Sequence, residues 1–344
     1  MKKSIRVMFT VFLVVLFLGV KPLPGKKLLS LPEVIWPFEI FVDKGQVYIS
    51  DSKALLHYYS LKDSRYVKQL CRKGEGPQEL SAFPVLTLTP DCLFIYDLIG
   101  KAMYFSRNGD YLREFRTGLF KRLSAVGSNF LGIKVVAGQQ KGNTAYEYSI
   151  YSYENKEMKY KKLIYYYEWP PQKRRGDKTD YEVIHDDIFH IVYDNKVFIA
   201  DSKRGMFVDI FDSNGNDYRR IRLNQFEKVK VTEEFKNSFF GYVNSNASYA
   251  TANSMYNYVF PEYYPAFYRF AVDKNKLYFL TYIKKDNKRE VIIADWKGKF
   301  LKKAYVTWIQ NSAFTNFSIR NNKFYYITEN EDTEEWELHV EDIK

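Results

Sequence analysis

Five segments repeating one pattern, 30 Tyr and 27 Phe among 344 residues, and hairpin turns between short strands predict an all-β chain. The expected fold is a six-bladed β-propeller of four-stranded antiparallel blades, its last blade closed by the N-terminal strand. Tyr and Phe suit pleated, half-buried surfaces, which sets the class. The repeat sets the architecture. "FVDKGQVYISDSKALLHYYSL" (41–61) and "IVYDNKVFIADSKRGMFVDIF" (191–211) both read as strand, Asp-containing turn, aromatic strand, short turn, aromatic strand. Weaker copies occupy 86–106, 270–295 and 317–342.

A further strand follows most copies, as in "YVKQLCRK", "YLREFRT" and "YRRIRLN", so the unit is a four-stranded meander. Turns such as Asp43-Lys44-Gly45 and Arg107-Asn108-Gly109 are hairpin signals. Units fall at 38–73, 84–117, 123–167, 189–224, 268–307 and 314–343. The third carries "FLGIKVV" as its second strand, and the sixth shows only three strands. "KLLSLPEV" (27–34) precedes the first unit and is the strand expected to complete the sixth. Such closure removes exposed sheet edges. Residues 27–344 therefore read as one domain with two insertions, 168–187 and 225–266.

Residues 1–25 stand apart. Lys2, Lys3 and Arg6 precede a 14-residue apolar run at 7–20, the length of a signal-peptide core and short for a bilayer span. Export follows as an expectation, to the periplasm, cell surface or medium, with membrane contact only if this segment stays uncleaved. Cys71 and Cys92 permit one disulfide or two isolated thiols. The net charge of +11 is uneven: residues 329–344 hold eight acids against one lysine, leaving +18 for the rest. No basic block forms a nucleic-acid signature.

The blade pattern, with "GEGPQEL" (74–80) after the first blade, resembles the exported, NHL-repeat-like six-bladed propellers common in Bacteroidetes-type bacteria. That family often carries Gly-x-Gly-Pro-Gly-Glu-Phe here. Gly74, Gly76, Pro77 and Glu79 match, while Gln78 and Leu80 depart. The resemblance covers roughly residues 30–344 and implies fold more than activity. A phosphate-binding reading of the glycines fails on spacing, because Glu79 stands where a dinucleotide loop needs its third glycine.

In a meander ring, blade crossings and second-to-third turns share one rim. "RKGEGPQEL", both insertions, and the turns carrying Asp51, Asp97 and Asp201 should converge there, the expected ligand face. Trp169, Arg174 and Arg175 of the first insertion and Tyr263 and Tyr264 of the second offer aromatic planes beside fixed cations, suited to an anionic or carbohydrate-like ligand. Asp51, Asp97 and Asp201 could ring a ligand, or accept backbone N–H bonds in their turns. Thr232 should cap a helix whose Phe235, Phe239 and Tyr242 pack on the propeller, followed by a long loop.

Glu39, early in the first inner strand, could point into the central channel. Propeller hydrolases use a Glu near there, so the alternative function is a Ca-dependent hydrolase or lyase. His185 and His190 sit five apart, on opposite faces of an extended segment, with no third ligand evident. No nucleophile elbow occurs. The expected function is a monomeric, cofactor-free binding or interaction module for a protein or for an anionic or carbohydrate-like ligand.

Overall fold

A computed structural model of the chain describes residues 25–344 except 54, 82–83, 141, 170–172, 185–186, 217–218, 225, 246–248, 287 and 308–316. The apolar run at 7–20, Pro170, Pro171 and His185 thus lie outside the described residues. Among those described, no helix is long and apolar enough to cross a membrane.

Six antiparallel sheets follow one another along the chain. Sheet 1 runs Pro37–Asp43, Gln46–Asp51, Leu56–Ser60, Arg65–Lys73. Sheet 2 runs Pro84–Leu88, Cys92–Asp97, Lys101–Ser106, Tyr111–Arg116. Sheet 3 is Arg122–Val126, Asn129–Ala137, Thr144–Glu154, Glu157–Trp169. Sheet 4 is Ile188–Tyr193, Lys196–Asp201, Met206–Phe211, Arg219–Leu223. Sheet 5 comprises Arg269–Asp273, Lys276–Lys285, Lys288–Asp295, Phe300–Thr307. Sheet 6 comprises Phe317–Arg320, Lys323–Asn330 and Glu335–Asp342, and its outermost strand is the N-terminal Lys26–Ser30.

Apolar residues lie on both faces of the middle strands, so each sheet has two neighbours to pack against. Separate cores fill every interface in turn. Tyr48, Leu86 and Met103 join sheets 1 and 2, Phe94, Leu123 and Phe130 sheets 2 and 3, and Val126, Leu131 and Val197 sheets 3 and 4. Phe198, Phe270 and Phe279 join sheets 4 and 5, and Tyr278, Phe317 and Phe324 sheets 5 and 6. Leu29, Ile327, Leu338 and Ile40 then return from sheet 6 to sheet 1. First strands contact first strands around the same circuit. This arrangement of radial sheets is a β-propeller.

The N-terminal strand is held by more than its ladder. Lys27 Nζ donates to Glu337 Oε1 at 2.6 Å, Asn330 Nδ2 to the same oxygen at 2.9 Å, and His339 Nε2 lies 2.8 Å from Oε2. Burial alone would raise the Glu337 pKa, but these bonds outweigh it and bring it down to about 2. A folded value below the unfolded one, about 4.3, stabilises fully above that pH and fades as pH falls towards the folded value. Acidification between roughly pH 4 and 2 is therefore expected to loosen residues 26–30 before the other strands, as read by amide exchange corrected for pH. Protection at 26–30 that outlasts the rest of sheet 6 contradicts this.

The Gly-Glu-Gly-Pro loop grips a cation, and that cation is the protein's own. Buried Lys101 donates from Nζ to the carbonyls of Gly76 (2.5 Å) and Glu79 (3.0 Å). The Glu79 carboxylate accepts Gly76 N–H at 2.8 Å and Arg72 Nε at 2.8 Å. It lies so close to Gly74 that a side chain there would push the carboxylate out of its bonds to Gly76 and Arg72. A two-residue strand, Glu79–Leu80, then adds in parallel to Arg65–Lys73.

Candidate functional site

In sheets 1, 2 and 4 the inner strand starts opposite the end of the second strand: Pro37 faces Asp51, Pro84 faces Asp97, Ile188 faces Asp201. In sheets 3, 5 and 6 the second strand runs on past the inner one at the same end. Crossings and second-to-third turns therefore share one rim, as the meander order predicts. The rim is uneven. In sheet 3, residues 134–137 pair with 144–147 beyond the start of the inner strand, so this hairpin stands above it. The two insertions rise beside it.

The insertions fold on each other. Lys178–Glu182 from the crossing between sheets 3 and 4 pairs in parallel with Tyr256–Val259 from the crossing between sheets 4 and 5, and Arg174–Arg175 adds a third strand. Helix α1 (Glu233–Ser245) starts where Thr232 Oγ1 accepts the Phe235 N–H at 3.2 Å, with Glu233 and Glu234 in the first turn. Its buried Phe239 and Val243 meet Val183, Ile184 and Val231, with Phe235, Tyr242, Tyr258, Phe260 and Tyr264 around them. The aromatic stripe thus packs in a core shared by the insertions, not on the blades as expected. The parallel pairing supplies the apolar face that the stripe covers. The expected long loop also contains structure, namely helix α2 (Ala250–Met255) and the strand after it.

Between this unit and sheet 4 lies a cleft of about 420 Å³. Phe226, Phe260, Tyr263 and Tyr264 form its aromatic walls, and Lys203, Lys228 and Glu182 bring charge. Lys228 and Lys230 stand 5.6 and 5.8 Å from the Tyr263 ring centre. Tyr264 stacks on Tyr282 of sheet 5 at 4.3 Å, and burial pushes its hydroxyl pKa up to about 12, so this wall stays neutral. A double hydrogen bond, Asp187 N to Ser202 Oγ (2.8 Å) and Ser202 N to Asp187 O (3.1 Å), ties the first insertion to the cleft floor.

The other sequence candidates separate. Arg174 and Arg175 sit at the opposite end of the small sheet from Glu182, about 10 Å away by strand rise. Arg175 Nε is 2.9 Å from buried Asp180, so it straps the hairpin; Arg174 is exposed. Trp169 ends the outer strand of sheet 3, its ring edge-on to Tyr167 at 5.4 Å. Lys203 and Lys228 were missed by the sequence reading. No motif marks them, because one sits in a blade turn and the other in an insertion.

Asp51, Asp97 and Asp201 are buried turn locks. Asp51 accepts the N–H groups of Lys53 (2.9 Å) and Leu55 (3.4 Å), reaches back to Ile35 N (3.5 Å), and meets His57 Nε2 at 3.2 Å. Asp97 accepts from Ile99, Lys101 and, across the crossing, Ser81. Asp201 accepts from Lys203 N and the Tyr165 hydroxyl. Their geometry is that of the turn-accepting alternative. Burial alone would raise the Asp51 pKa, but its hydrogen bonds, His57 foremost, hold it below the usual range.

A second cavity, about 300 Å³, runs down the centre and is lined by the first strands of all six sheets. Glu39 lines it, as the sequence suggested. Its carboxylate takes Arg122 Nη2 at 2.8 Å and Leu86 N at 3.4 Å. Burial and the nearby Arg122 and Lys121 hold His190 well below its ordinary pKa, hence neutral. Among the described residues no group of three or more His, Cys, Asp or Glu gathers as a metal site. Cys71 and Cys92 are free thiols, and burial pushes the Cys71 pKa up.

No protein-family model and no curated protein sequence matches the chain. Among solved structures it is similar to the computationally designed Ika8 protein, at 8% identity and a TM-score of 0.43, covering 92% of this chain and 100% of that one. It is similar to the β-propeller domain of Cps50 (Swd1) from Myceliophteria thermophila, at 7% identity, TM-score 0.38, and 90% and 98% coverage. The third is BamB from Moraxella catarrhalis, at 9% identity, TM-score 0.32, and 88% and 83% coverage. Identity this low says nothing of what the chain binds.

Proposed function

We propose that the chain is an exported six-bladed propeller that acts as a binding module, holding an anionic, carbohydrate-like ligand on its crossing rim. One observation carries the reading: two insertions from different crossings share a core and leave an aromatic, lysine-edged cleft against the blades. Flat Tyr faces suit the apolar face of a sugar ring, and ammonium groups suit a carboxylate. Arg174, further along the same unit, and Trp169, at the end of the outer strand of sheet 3, would meet a longer ligand. Kinship with the NHL-repeat-like exported propellers belongs to this proposal and is supported by Gly74, Gly76, Pro77 and Glu79. The apolar run behind a basic N-terminus supports export.

The test is a calorimetric titration with an oligogalacturonate and a neutral oligosaccharide of equal length. The acidic ligand should bind and the neutral one should bind more weakly. Tyr263→Ala and Lys228→Ala should each weaken binding about tenfold, or 1.4 kcal/mol. Equal affinity for both sugars, or affinity untouched by both substitutions, would contradict the reading.

A further inference from the structure

The opposite arc of the same rim, over sheets 6, 1 and 2, carries a series of exposed apolar side chains, interrupted by the charged residues Lys53, Arg72, Lys73 and Glu75 of sheet 1 and its crossing. Ile35, Trp36, Leu98, Ile99 and Leu119 are exposed there, at 49%, 47%, 40%, 45% and 73%. These side chains sit on pinned loops. Ile35 and Trp36 lie in the crossing into sheet 1, where the Trp36 carbonyl accepts Ser52 N–H at 3.0 Å and its ring meets Trp336 edge-on at 6.0 Å. Leu98 and Ile99 follow the Asp97 lock. Leu119 lies in the next crossing, tied to that turn by Thr117 N–H on Gly100 O at 2.7 Å. Large apolar groups held outward in one arc mark an interaction surface.

Charge at the two ends says what would cover it. At the sheet 6 end, the 330–335 turn exposes Glu331, Asp332, Glu334 and Glu335. At the sheet 2 end, Arg116 and Lys121 are exposed. A partner of one charge sign would match one end and be repelled at the other. A second copy turned through a two-fold axis at the middle of the arc matches both ends, acid on base twice, with the apolar residues and the mixed charges of Arg72, Lys73 and Glu75 between. We propose that this arc is an isologous interface between two copies of the chain, in place of the monomer that the sequence suggests. This proposal stands independently of the cleft, so Tyr263→Ala should leave it unchanged.

Sedimentation velocity of the full chain over a range of concentration and salt tests it. A monomer–dimer equilibrium that weakens with salt is expected. Leu119→Glu, at a site too exposed to matter for folding, should weaken association by at least about tenfold. Arg116→Glu should weaken it too, and Arg116→Glu combined with Glu335→Arg in one chain should restore it. A chain that stays monomeric throughout overturns the proposal. So does an association indifferent to Leu119→Glu and to the charge reversals, or an arc that takes up only a different protein.

Discussion

Replacing Phe239 with alanine is expected to melt the insertion unit while the six sheets stay folded. Phe239 is 1% exposed at the centre of a core with only four other buried side chains. A Phe→Ala change in a packed core costs about 3–5 kcal/mol. So small a unit has little surplus to absorb that loss, and the Asp187–Ser202 bonds and the Tyr264–Tyr282 stack that tie it to the blades do not replace its packing. The blade cores share no residue with it. Limited proteolysis should cut within 225–266 in the variant and not in the parent, while the thermal transition of the sheets keeps its midpoint. Oligogalacturonate binding should be lost with the unit. Unchanged resistance to proteolysis would mean that the insertions are held by the blades after all.

The second large effect is expected at Asp51. Alanine there removes the acceptor for three backbone N–H groups and leaves His57, itself buried, without its carboxylate. Leaving buried donors unmet costs about 1–3 kcal/mol each, more for charged partners, so a global loss of about 3 kcal/mol or more is expected by denaturant titration. Ligand affinity at a temperature where the variant is folded should not change. The pair of readouts matters because the sequence allowed two roles for this residue. A stable variant with lost affinity would restore the ligand-ring role.

The contrast between Asp51 and the cleft shows what the chain makes legible. Blades could be read because each is local: strand, turn and strand lie within about ten residues, and the alternation of Tyr, Phe and Val repeats. The completing strand at 26–30 could be read because the sixth unit was one strand short. The glycines at 74 and 76 were correctly assigned to a junction, but the acceptor role of the Gly76 carbonyl towards Lys101 was invisible, since the lysine comes a full crossing later. The pairing of 178–182 with 256–259 was equally hidden. It joins segments more than seventy residues apart in parallel, and neither has a strand-like run long enough to announce itself. Tyr263 and Tyr264 were singled out by composition. Lys203 and Lys228 become relevant only once the fold sets a blade turn beneath an insertion.

The most direct test of a rim-bound ligand is amide hydrogen exchange with and without bound oligogalacturonate. Added protection is expected only at 182–184, 202–205, 226–228 and 259–266, the cleft walls and floor. Protection centred instead on the opposite-rim turns at 43–46, 107–110 and 212–216 would contradict it.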